Sequence, residues 1–335
     1  MNLTVATSPH IRGDFRTSRL MLDVVLALLP ALAVGTFVLG ARSLLVVLVS
    51  MAAAVAGECG YNLLLKKRNT LPDCSALVTG MLFALTLPAS ANLGVVALGS
   101  LFAIVVTKMM CGGLGQNVFN PALSARAFVM LLFPATVSRY VGVDGVSGAT
   151  PLHHMVMPAL PEESLLDMFL GNCPGSIGEI SALALILGGV YLVVRKVISP
   201  RIPLAYLGSV AVITLVFHKT DSALSWMLYS LLSGGAMLGA IFMATDYATS
   251  PVTPVGQILY GIGCGVLTVI FRYFGIFPEG VTYAILLMNL AVWVIDRFTP
   301  PRRYGQKKGG AARGLEMDCP CAGHCAGIGV AAGRL

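Results

Sequence analysis

Leu20-Met-Leu-Asp-Val-Val-Leu-Ala-Leu-Leu-Pro-Ala-Leu-Ala-Val-Gly-Thr-Phe-Val-Leu39 is an apolar run with one charge, Asp23. Coiled as a helix at ~1.5 Å per residue it reaches about 30 Å, the thickness of the hydrocarbon core of a bilayer. The pattern recurs. Apolar runs follow at Ser43–Leu65, Ser75–Leu87, Leu93–Cys111, Ala122–Val137, Ile180–Val197, Pro203–Phe217, Ala223–Ala244, Val255–Phe274 and Val281–Ile295. With the first they make about ten spans, so the expected fold is an all-α polytopic membrane protein. The third and fifth runs are short, as broken or re-entrant helices are. Composition agrees: 56% of the 335 residues are hydrophobic and 11% are charged, with a mean hydropathy of +0.84. Soluble domains carry about 25% charged residues, so a solvated globule is excluded.

The net charge of +7 would suggest a nucleic-acid ligand in a soluble protein. In a membrane protein it reads as the bias of Lys and Arg toward cytoplasmic loops, with no nucleic acid as partner. Ten spans put both termini on one side. That assignment places 18 of the 22 basic residues inside, Lys108 and Arg126 among them, and leaves outside Arg42, Arg139, Lys219 and Arg272. The termini are therefore expected in the cytoplasm, and the longest loop, Ser138 to Glu179, on the far side. No small-residue cleavage site follows the first run, so the amino-terminal segment is not read as a removable signal peptide.

The spans divide at that loop, five and five. An odd number per half makes the second half enter the membrane upside down, the logic of an inverted repeat. Phe119-Asn-Pro-Ala122 before span five is echoed by Phe277-Pro-Glu-Gly280 before span ten. The expected organisation is a cytoplasmic segment (1–19), a first five-helix repeat (20–137), the external loop (138–179), a second, inverted repeat (180–297) and a flexible cytoplasmic tail (298–335).

Two stretches carry candidate chemistry. Inside the loop, Asp144-Gly-Val-Ser-Gly-Ala-Thr-Pro151 is slim and small-residue-rich, and would hold the Thr150 hydroxyl exposed. An ordinary turn with a surface threonine has the same composition. Between spans four and five, Gly112-Gly-Leu-Gly-Gln-Asn-Val-Phe-Asn-Pro-Ala122 cannot sustain a good helix. Broken backbone at membrane depth survives only where protein covers it or a cavity is lined. Asn117 and Asn120 there offer amides either to a ligand or as helix caps before Pro121. Asp246, after span eight, is an acid at membrane depth and a functional candidate by that fact.

Other polar groups are read more plainly. Glu58 in span two either joins an ion path or pairs with a base at the inner surface, and the structural role is favoured. Asp23 is expected to pair with Arg19, and His153 and His154 to be solvated loop residues. The tail holds Cys319, Cys321, His324 and Cys325. These four groups could ligate zinc or an iron–sulfur cluster. The spacing is very compact, and no metal is assigned.

Ser147-Gly-Ala-Thr150 resembles the flavinylation motif of the RnfD/NqrB family of membrane redox subunits. Thr7-Ser-Pro-His10, Ser75-Ala-Leu-Val-Thr-Gly80, Leu85-Thr-Leu-Pro88, the glycine-rich break, Ala244-Thr-Asp-Tyr-Ala-Thr-Ser-Pro251, Pro278-Glu-Gly280 and Leu287-Met-Asn289 resemble further stretches of that family, in the same order. The resemblance runs to about Pro301 and stops at the tail. It implies two inverted five-helix repeats, similar to urea transporters. It also implies FMN bound covalently at Thr150 through a phosphoester, installed by a flavin transferase, and a non-covalent riboflavin for which Asn117, Asn120 and Asp246 are the candidates. The implied setting is the plasma (inner) membrane of a prokaryote. There the chain would be one part of an Rnf-type translocase, not catalytic alone, with a second flavin-bearing subunit among its partners. Such a complex couples electron transfer between ferredoxin and NAD to movement of sodium ions or protons. The short amino-terminal segment fits the RnfD branch better than the NqrB branch. A urea-transporter-like passive channel would share the repeats and need no modified threonine.

Overall fold

The computed structural model describes residues 17–66, 70–137, 139–140, 164–171, 173–220, 222–275 and 280–300. Thr150, His153, His154 and the tail cysteines lie outside the described residues. Among the described residues every regular element is helical, and each of the ten expected runs coincides with helix.

The first half holds α1 (Thr17–Leu39), α2 (Ala41–Leu64), α3 (Ser75–Leu85), α4 (Leu93–Phe102, continued as a π-helix over Ala103–Met109) and α5 (Pro121–Leu132). A short helix, α6 (Leu165–Leu170), precedes the second half. That half holds α7 (Ala182–Val194), α8 (Arg201–Val216), α9 (Ala223–Leu232), α10 (Ala236–Leu238, continued as a π-helix over Gly239–Met243), α11 (Pro254–Phe274) and α12 (Gly280–Phe298). Four of these, α1, α2, α11 and α12, are each long and apolar enough to cross a membrane; α9 and α10 together would make a fifth.

Local sequence explains where helices start. The Asn92 side chain caps α4 by accepting from the Gly94 N–H at 3.0 Å. Thr253 caps α11 by accepting from the Gly256 N–H at 3.1 Å, and Pro254 fills the first turn, where no amide donor is needed. Helices approach closely through small residues. A Cβ on Gly188 of α7 would stand 2.2 Å from the Ala27 carbonyl oxygen of α1. Without water to drive association, such close backbone contact is what holds membrane helices together.

Three expected spans are broken. The run Ala122–Val137 stops at Leu132 and resumes as a single turn, Pro134–Val137, because Pro134 cannot continue the helix. The run Ser75–Leu87 ends at Leu85. Beyond it, Ile177 and Gly178 donate their N–H groups to the carbonyls of Leu87 (3.1 Å) and Leu85 (2.7 Å). The end of the long loop is thus buried against α3, with Ile177 fully enclosed, rather than solvated. The run Ala223–Ala244 bends by 64° between α9 and α10, where Gly234 and Gly235 take left-handed backbone. Arg272 of α11 closes that bend. Its guanidinium donates to the carbonyls of Ser230 (2.6 Å), Ser233 (2.9 Å) and Gly234 (2.6 Å).

The charge assignments change accordingly. Lys108, Arg126 and Arg272 belong to helices and are buried, not placed in loops. Without them the expected bias of 18 against 4 becomes 16 against 3. Asp23 accepts from the Tyr191 hydroxyl at 3.0 Å and from Arg195 at 3.3 Å, partners in and just after α7 that replace the expected Arg19. That contact joins the first helices of the two halves. Helix neighbours correspond across the halves as well. α2 packs on α3 and α4, and α8 packs on α9 and α11.

Candidate functional site

The glycine-rich break turns the chain back after α4. Gly112, Gly113 and Gly115 all have positive φ (117°, 103° and 86°), which side-chain-bearing residues adopt only with strain. The turn delivers Asn117 and Asn120 to the start of α5, facing the segment that follows α10. There, Asn117, Asn120 and Asp246 line one cleft of about 740 Å³, its open mouth included. The structure therefore brings the three sequence candidates together, although the cap and ligand readings divide between them.

Asn120 is a cap. Its Oδ1 accepts from the N–H groups of Ala122 (3.0 Å) and Leu123 (3.3 Å) at the start of α5. Its Nδ2 donates to the Met243 carbonyl at 3.1 Å, so the same amide also ties the first half to the second. The buried Asn289 of α12 completes this joint. With its amide turned to suit its neighbours, Oδ1 accepts from the Asn120 N–H at 3.1 Å and Nδ2 donates to the Thr249 carbonyl at 3.3 Å. Leu287-Met-Asn289, one of the stretches quoted above, thus has a structural task.

Asn117 is committed less fully. Its Nδ2 donates to the Phe119 carbonyl at 3.0 Å. Asp246 lies in the connection between α10 and α11 and accepts from the Thr249 hydroxyl at 3.3 Å. Burial pushes its carboxyl up from the ordinary carboxylate value, while the Ala248 N–H, the Thr249 hydroxyl and the Asn117 side chain oppose that shift. Val78, Leu82, Leu114, Leu192 and Phe242 supply apolar wall. A mostly apolar slot with a few convergent polar groups is the ordinary form of a cofactor site. A flavin ring edge alternates hydrogen-bond acceptors and donors, which amide and carboxyl groups match. The residues present fit that group.

Two residues of this cleft escaped the sequence reading. Tyr247 sits in its wall with its hydroxyl bonded to the Val197 carbonyl. Lys108 also lines the cleft, buried in an ion pair with Glu58 at 2.9 Å. An ionisable residue within an apolar run is a functional signal by itself. That signal was available in Leu93–Cys111, where Lys108 is the one charge.

The family model described as NQR2, RnfD, RnfE family matches residues 4–305. The D subunit of the Na(+)-translocating ferredoxin:NAD(+) oxidoreductase complex from Acetobacterium woodii is 47% identical, covering 92% of this chain and 97% of that protein. The D subunit of a proton-translocating ferredoxin:NAD(+) oxidoreductase complex from Clostridium ljungdahlii is 39% identical over 91% and 97% of the two chains. The D subunit of an ion-translocating oxidoreductase complex from Stutzerimonas stutzeri is 39% identical over 87% and 93%.

Proposed function

Because the chain belongs to the NQR2, RnfD, RnfE family, we propose that it is the flavin-carrying membrane subunit of an Rnf-type complex. Such a complex couples electron transfer between ferredoxin and NAD to movement of an ion across the plasma membrane. The observation that carries this reading is near-full-length similarity to D subunits whose names state that activity. Those names include both sodium and proton translocation, so either ion suits this chain.

In this reading Thr150 carries FMN through a phosphoester, on a loop outside the cytoplasm, attached there by a flavin transferase. The Asn117–Asp246 cleft holds a riboflavin without a covalent link. Bound there, the isoalloxazine ring would supply the electron-accepting chemistry. Asn117 and Asp246 would orient its polar edge and ribityl chain. Asn120 and Asn289 would keep the two halves at fixed separation, and the apolar wall would exclude water. The corresponding helix neighbours in the halves support an inverted five-helix repeat. The 16-to-3 bias of basic residues supports cytoplasmic termini. Other subunits, one bearing a second flavin, complete the path.

The direct experiment is Thr150→Ala. Denaturing gels of the parent should show ultraviolet flavin fluorescence on this polypeptide, and the variant should insert normally without it. Fluorescence persisting on the Thr150→Ala chain removes this residue as the attachment site.

A further inference from the structure

Lys108 and Glu58 are the unusual feature of the first half. Lys108 is 3% exposed and Glu58 is 1% exposed. Three helices meet at the pair, because Lys108 Nζ donates both to Glu58 Oε2 of α2 at 2.9 Å and to Ser75 Oγ of α3 at 2.7 Å. The second carboxylate oxygen accepts from the Thr70 hydroxyl, which in turn accepts from Asn62 Nδ2 at 3.0 Å. Packing alone does not call for such a pair. Apolar side chains of similar volume commonly hold a core as well or better, since two desolvated charges return little net stability.

Position suggests what the charges do. Lys108 lies in the π-helical end of α4, a wider turn that occurs often at functional sites and alters where a side chain points. It lines the Asn117–Asp246 cleft and also a second cleft of about 670 Å³, its open mouth included, walled by Glu58, Asn62, Thr70 and Asp73. Lys108 thus borders the candidate flavin site, while its counter-charge, Glu58, lines only the second cleft. Asp246 lines that same first cleft.

We propose that Lys108 is the cation that balances the charge of the flavin in this cleft, and that Glu58 is a positioning residue that sets how much of that charge the cleft feels. The proposal rests on the reading of the cleft as a flavin site. Adding two electrons and one proton to a flavin ring leaves it with one net negative charge. The electrons come from the low-potential donor of the complex. A cation at the wall favours that reduced form, and a carboxylate beside the cation weakens the effect. The two residues therefore act on the redox balance with opposite sign, which a purely structural pair would not do.

The test uses the full chain in a Thr150→Ala background, so that extractable riboflavin is its remaining flavin. Riboflavin content is measured by chromatography, and the reduced-to-oxidised ratio by spectroelectrochemical titration. At a fixed potential near the midpoint, Lys108→Met should lower the ratio about tenfold, and Glu58→Gln should raise it by a similar factor. Lys108→Arg, which keeps the charge, should restore most of the parent ratio. Unchanged ratios in both variants, or shifts of the same sign, overturn the proposal while leaving the flavin site standing. If Lys108→Met fails to assemble, Glu58→Gln decides alone: a raised ratio supports the proposal and an unchanged one overturns it. A parent chain without extractable riboflavin would instead sink the reading of the cleft, and this proposal with it.

Discussion

Lys108 and Arg272 are both buried cations in an apolar bundle, and their surroundings differ in kind. Lys108 is matched by a carboxylate and borders two clefts. Arg272 donates to three backbone carbonyls at a helix bend. The bend leaves those carbonyls without intrahelical donors, and in hydrocarbon there is no water to supply them. A planar guanidinium with several donors suits that task, where a single ammonium would serve fewer oxygens. Arg272 thus has an architectural task in the backbone it closes. The buried charge at Lys108 pairs with side chains instead, and the α2–α3–α4 junction could be packed without it. The difference separates a charge kept for architecture from one that borders a candidate site.

Breaking this contrast starts with Arg272. Arg272→Leu orphans three carbonyls, each worth about 1–3 kcal/mol when buried unsatisfied, and should remove more than ~3 kcal/mol of stability. In detergent the variant should unfold at a much lower temperature, or fail to accumulate, whereas Arg272→Lys should recover part of the loss. A thermal midpoint unchanged in Arg272→Leu would show that the bend does not need its cation. Glu58→Gln should cost a comparable amount, about 3–5 kcal/mol, because it leaves the Lys108 ammonium buried without its counter-charge even though the amide oxygen can still accept from Thr70. Its distinguishing effect belongs in the flavin titration. The smallest change is expected at Asp23. Its partner Arg195 is 56% exposed, and exposed pairs contribute roughly 0–1 kcal/mol. Asp23→Asn should therefore shift the thermal midpoint by no more than a degree or two, and a large fall would mean that the α1–α7 joint depends on this pair.

The helices were legible because long apolar runs leave little choice, and the ten expected runs each contain helix. The glycines at 112, 113 and 115 announced the break that positions Asn117. What could not be read was partnership across sequence distance. Nothing near Arg272 in the chain marks the carbonyls of Ser230 to Gly234 as its partners. The sequence puts Lys108 near the end of a run, where a loop residue is expected; the π-helical turn and the Glu58 carboxylate that draw it inward are tertiary facts. Asn120 had two readings, and the structure realises the cap while also placing it in the cleft wall.

The most direct test of the account concerns Asn117, which reaches the cleft without capping a helix. Flavin is measured in two fractions from the purified complex: riboflavin released by acid, and fluorescence that stays with this polypeptide in a denaturing gel. Asn117→Leu should lose most of the released riboflavin and keep the gel fluorescence on Thr150. Released riboflavin equal to that of the parent, in Asn117→Leu and in Asp246→Ala alike, would contradict the assignment of a flavin to this cleft.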